Sequence, residues 1–131
     1  MTIQYGISKT VGLPYEKAVE RITEELKKEG FGVLTTIDVK ETLKKKLDVD
    51  FKRYMILGAC NPPFAHKVLQ VDENIGLLLP CNVIVYEKGD RSVVAAFDPM
   101  SMTKLIDHPE IETVAVEVAE RLKRAVAAMP G

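Results

Sequence analysis

The stretch Leu57–Gln70, LGACNPPFAHKVLQ, decides how this chain folds, because an apolar run meets Asn61-Pro62-Pro63 in its middle and must change its structure there. Upstream, KRYMILGA (residues 52–59) is β-rich and reads as a strand. Downstream, PPFAHKVLQV (62–71) reads as a short helix. Asn61 followed by Pro62 fits an N-cap and first helical position: the amide side chain accepts from an early backbone N–H, and proline gives up a donor that had no partner anyway. Cys60 then stands one residue outside a helix N-terminus, where the partial positive charge favours a thiolate. The competing reading is structural, since cysteine is among the most buried residue types and would fill space beneath the new helix.

Working outward, the only other cysteine sits in LLLPCNVIVYE and is again followed by asparagine, with Pro80 before it. Proline cannot donate to a ladder, so the chain should break, or lie at an edge, just before Cys81. IGLLLPCNVIVYEKGDRSVVAAFDP reads as apolar strands joined by a reversal at Gly89-Asp90. Before the central stretch, IQYGISKTV predicts a strand over Ile3–Val11. A helix follows from Pro14, with Tyr15, Ala18, Val19, Ile22 and Leu26 at helical spacing and Gly30 as its stop. FGVLTTIDV predicts a second strand, and KETLKKKLDVDF a short surface helix or helical loop whose lysines form a solvated face. The clearest element is last: Ile111, Val114, Ala115, Val118, Leu122, Ala125, Val126 and Met129 make one apolar stripe on a long C-terminal helix, beneath which Met100 and Met102 would pack. Asp107 or His108 caps it; Glu110 favours Asp107 through a capping box, and Pro109 favours His108. Helices at both ends of a mostly antiparallel sheet predict a two-layer α+β domain, a single one over residues 1–131.

Composition narrows the function. With 18 basic and 19 acidic side chains the formal charge is -1, which gives no polyanion-binding surface. Aromatics are 6% of the chain and tryptophan is absent, which argues against stacking single-stranded nucleic acid. No apolar run approaches the roughly 18 to 20 residues that span a bilayer. The expectation is a cytoplasmic protein with neither nucleic acid nor membrane as partner. Two cysteines are too few for a secreted disulfide framework.

If Cys60 and Cys81 meet, several chemistries compete. A reversible disulfide needs alpha carbons within about 7 Å. A soft-metal site would recruit His66, Met100 or Met102, but the C-x20-C spacing lacks the paired C-x2-C of structural zinc sites, so no metal is expected. A cysteine nucleophile at Cys60 needs a base, for which His66 is the nearby candidate, although it lies more than a turn into its helix. His66 alone suits a half-exposed histidine, and His108 suits helix-start chemistry. Two Cys-Asn pairs beside proline also look like two lips of one pocket, where backbone amides, the amides of Asn61 and Asn82, and the thiols could hold a small polar or anionic ligand.

Taken together, YMILGACNPPFAHKVLQ and IGLLLPCNVIVYE resemble the signature of the bacterial and archaeal domain of unknown function 302, with G-A-C-N-P, A-H and L-L-P-C-N in order. The likeness extends to EGFGVLTTIDVKETLKKKL and FDPM. It implies a small TATA-binding-protein-like α+β fold, a β-α-β4-α core with added short helices, that tends to form homodimers. It implies no established activity or cofactor, and likeness to a DNA-binding fold does not carry DNA binding with it. On this reading the chain is a homodimeric domain whose pocket of Cys60, Asn61, His66, Cys81 and Asn82 serves a small ligand or thiol redox chemistry. The alternatives are a thiol enzyme with Cys60 as nucleophile and a dimerising scaffold with inert cysteines. Whether the domain is an enzyme is left open at this point.

Overall fold

A computed structural model describes residues 4–131. At the central stretch the chain does what two prolines require. Strand β3 (Tyr54–Cys60) ends at Asn61, whose backbone is extended at φ -108 and ψ 98, and helix α3 (Pro62–Val71) begins with both prolines in its first turn. Neither ring displaces a hydrogen bond there, so the change from strand to helix costs no backbone donor.

Ahead of it come β1 (Gly6–Val11), α1 (Tyr15–Lys28), β2 (Gly32–Asp38) and α2 (Val39–Leu47). The expected start of the first strand at Ile3 lies outside the described residues. Helix α1 buries Tyr15, Ala18, Ile22 and Leu26, the stripe its spacing calls for. It stops at Gly30, which turns left-handed at φ 89 while Gly30 N donates to Lys27 O at 3.1 Å and Phe31 N to Leu26 O at 3.0 Å. This paired closure suits glycine, which has no Cβ to strain. Helix α2 is held at its start by Asp38, whose side chain accepts from Glu41 N at 2.9 Å, and it buries none of its residues. It is a surface helix, as its polar sequence predicts.

After α3 the structure departs from the expectation. IGLLL does not extend a strand: Glu73–Leu78 is a 3-10 helix capped by Asp72, which accepts from Asn74 N at 2.9 Å. Ile75 is buried while Leu77 is 89% exposed, so apolar character alone did not put this run in a sheet. Strand β4 (Cys81–Lys88) begins only after a cis Leu79–Pro80 bond, in keeping with the break expected at Pro80. Strand β5 (Arg91–Phe97) returns across a turn at Gly89, φ 63. A second 3-10 helix, Pro99–Lys104, takes its cap from Asp98. Then α4 (Pro109–Ala127) starts at His108, not Asp107: His108 Nδ1 accepts from Glu110 N at 3.2 Å, and its extended backbone is the one a residue before proline adopts.

The five strands among the described residues form one sheet in the order β1-β5-β4-β3-β2, antiparallel throughout. Leaving aside α2, α3 and the 3-10 turns, the order is β-α-β4-α. One sheet face carries Leu57, Val83, Val85 and Val94, and onto it pack Ile22 and Leu26 of α1 and Leu122 of α4. Strand alternation puts every second residue on this face, which is why a one-residue slip at any strand would turn the core outward. Lys9 of β1 reaches over to donate to Ala127 O and Met129 O, placing a cation on the carbonyl end of α4.

Candidate functional site

Where the end of the sheet meets α3 and α4, packing leaves a cavity of about 390 Å³. Its floor is Ala59 of β3 and Cys81 of β4, its sides are α3 and α4, and the two 3-10 helices contribute Gly76 and Met102. None of the residues lining it carries a formal charge. The space follows from residue size: α4 presents the small Ala115 between Val114 and Val118, and β3 presents Ala59, so the helix and strand surfaces do not fill the gap between them.

Of the residues expected to form a pocket, Cys60, Asn61 and Cys81 line this cavity, whereas His66 and Asn82 are exposed and stand off its wall. On α3 the wall takes Phe64, Ala65, Val68 and Leu69, which share one helical face; His66 falls on another. The geometry therefore separates Cys60 from the histidine proposed as its base. Asn82 pairs with Gly58, one register position away from the pair of Ala59 and Cys81, so the pleat turns it from the face that Cys81 occupies.

The same register governs the thiols. Both are free, and Cys81 stands opposite Ala59 and not opposite Cys60, so the two thiols line one cavity without being cross-strand partners. No disulfide joins them. Burial pushes the Cys81 thiol up to about 11, with the nearby Cys60 adding to it, so Cys81 is a neutral S–H at physiological pH. Among the described residues no three His, Cys, Asp or Glu side chains gather as a metal cluster would require.

Asn61 occupies the N-cap position yet makes no capping bond with its side chain. The side chain, in a residue only 8% exposed, instead donates from Nδ2 to the carbonyl oxygen of Glu29 at 3.2 Å. Arg121 Nη1 donates to the same oxygen at 2.9 Å, and Arg124 Nε holds the Glu29 carboxylate at 3.0 Å. The left-handed turn at Gly30 is what frees that carbonyl, and a Cβ at Gly30 would come to 3.1 Å from Asn61 Nδ2. Asn61 thus fastens the start of α3 to the end of α1. The first turn of α3 also has no amide to offer an anion: Pro62 and Pro63 lack N–H groups, and Phe64 N and Ala65 N both donate to the backbone oxygen of Asn61, at 3.1 and 3.0 Å. The expected cradle of amides for a polar or anionic ligand is absent from this first turn.

Most of the wall is apolar and escaped the sequence reading. Phe31, Phe64, Val68, Met102 and Ala115 look like core in the chain, and in a sense they are. The available signal was size: an alanine within an otherwise bulky helical stripe marks a place where a helix does not fill its groove.

The fold and cavity define a class first: a single-sheet α+β domain of β-α-β4-α order with an uncharged cavity at the helical end of the sheet. Within that class the family model described as Domain of unknown function DUF302 matches residues 7–129, and the chain belongs to that family. The crystal structure of an uncharacterized conserved protein DUF302 from Bacillus stearothermophilus is similar at a TM-score of 0.87 and 29% identity, over 95% of this chain and 98% of that one. An uncharacterized protein of Aquifex aeolicus (strain VF5) is 23% identical over 129 residues, 94% of this chain and 82% of the relative. No helix among the described residues is long and apolar enough to cross a membrane.

Proposed function

We propose that this domain binds a small, largely apolar molecule in the cavity between the sheet end, α3 and α4. The observation that carries the reading is the cavity itself: about 390 Å³ with no charged residue in its wall. That volume lies in the range of about 300–1,000 Å³ occupied by small-molecule sites, which are mostly apolar with few polar groups. A charged ligand would lose its hydration against such a wall without an ion pair to replace it. Cys81, held as a neutral thiol, adds polarisable surface to the floor and brings no charge. The reading implies no turnover, and His66, exposed on another face of α3, is not among the cavity-lining residues that include Cys60.

The test uses N-phenyl-1-naphthylamine, a neutral probe that fluoresces on leaving water. Wild type should bind it saturably. Gly76→Phe should abolish binding, because Gly76 lines the cavity, an added Cβ there meets only Leu69 Cδ2 at 4.0 Å outside its own helix, and the ring would take up cavity volume. Absent wild-type binding, or binding that survives Gly76→Phe, contradicts the proposal. Self-association as a homodimer, implied by the family resemblance, belongs to the same reading; light scattering behind a sizing column reads it, with a monomer mass as the contrary result.

A further inference from the structure

We propose that the cavity selects a neutral apolar ligand bearing one hydrogen-bond donor, a hydroxyl or N–H, and that Asn61 Oδ1 is the acceptor that reads it. The inference rests on the cavity being a ligand site and adds the chemistry by which it would choose. Asn61 lines the cavity and is only 8% exposed. Its Nδ2 is committed to the Glu29 carbonyl at 3.2 Å, which fixes the orientation of the amide, since a carbonyl accepts only from the nitrogen end. Oδ1 lies on the other side of the amide, and the amides that an N-cap oxygen would ordinarily take are spent on the Asn61 backbone carbonyl. The amide is thus anchored by its donor end, its oxygen takes no hydrogen bond within the protein, and the residue stands in a wall that is otherwise almost wholly apolar. The other polar side chains of the wall are Thr35, which is mostly exposed to solvent, and Cys60 and Cys81, which offer sulfur, a weak partner in either direction.

An unmet acceptor in an apolar site discriminates strongly, because a ligand without a donor strips the oxygen of water and returns nothing. A donor-bearing ligand should therefore bind about tenfold more tightly than an isosteric one without a donor, the ratio expected of one neutral hydrogen bond made or left unmade. An anionic ligand should bind worst, as its charge would face both the apolar wall and the lone pairs of Oδ1.

The experiment is isothermal titration of the full chain with 2-naphthol, 2-methoxynaphthalene and 2-naphthoate at neutral pH. The expected order is naphthol over methoxynaphthalene by about tenfold, with naphthoate weakest. Methoxynaphthalene or naphthoate binding as tightly as naphthol overturns the role of Asn61 while leaving the cavity as a ligand site. Failure of all three to bind overturns both readings. Asn61→Ala should bring naphthol down to the methoxynaphthalene affinity; a naphthol preference undiminished in that variant also overturns the assignment. Should the variant fold poorly, the wild-type ratio decides.

Discussion

Cys60-Asn61 and Cys81-Asn82 are the same dipeptide at neighbouring ends of adjacent strands, β3 leaving into a helix and β4 arriving from a proline turn. In the first pair the asparagine is buried and tied to the Glu29 carbonyl. In the second the asparagine is exposed, and the cysteine is the partner that burial dominates, its thiol pushed up to about 11. The two asparagines therefore meet opposite environments while both cysteines are half-buried at the cavity, and register sets the second pair: Cys81 stands across from Ala59 and Asn82 across from Gly58. A repeated dipeptide is evidence of a repeated role only when both copies sit at the same phase of the pleat.

The comparison can be broken most forcefully at Gly58, the residue opposite Asn82. A Cβ there would run into Thr35 Oγ1 and come within 2.9 Å of Pro80 Cγ. Gly58→Ala should destabilise the fold by about 3 kcal/mol, read as a lower urea midpoint. An unchanged midpoint would mean that β2 and β4 do not close around this glycine as described.

Next in size is the alkaline response of Cys81. Its folded thiol titrates near 11 against an ordinary 9.0, so the folded state holds the proton longer than the unfolded chain. The resulting stability is fully present below the unfolded value and fades as pH rises from 9.0 towards 11, by roughly 2–3 kcal/mol. Urea melts across that window should show the loss, and Cys81→Ala should flatten it. A wild type as flat as the variant would show the thiol to be in contact with water.

Smaller still, and the sharpest contrast, is the pair of asparagine truncations. Asn61→Ala removes a donor to a part-buried carbonyl and should cost about 1–2 kcal/mol, moderated because Arg121 still reaches Glu29. Asn82→Ala, on an exposed side chain, should stay within about 0.5 kcal/mol of wild type. Equal losses would refute the division between the two pairs.

Much of this fold is written in local signals. The stripe from Ile111 to Met129 repeats at helical spacing, Gly30 stops α1, and Asn61-Pro62-Pro63 marks where β3 yields to α3; each is a preference of a few residues acting on their own backbone. The run Ile75–Leu79 misled because apolar character does not distinguish a strand from a tight turn, and the determinant was the cap at Asp72. The site was half legible. Cys60, Asn61 and Cys81 stood out by type, but His66 was grouped with Cys60 by nearness in sequence, and a helix separates such neighbours around its axis. The partner of Asn61 was out of reach, since Glu29 lies 32 residues away and is met only once α1 and α3 are docked. The apolar wall could not be told from core by residue type, because a cavity is made by what fails to fill it.

The division between Asn61 and Asn82 is tested with their side-chain amides as built-in reporters in 15N–1H correlation spectra while 2-naphthol is added. The Asn61 amide protons should be slow to exchange with solvent in the free protein and shift with the ligand, while those of Asn82 exchange fast and stay put. Shifts confined to Asn82, or equal behaviour of the two amides, would contradict it.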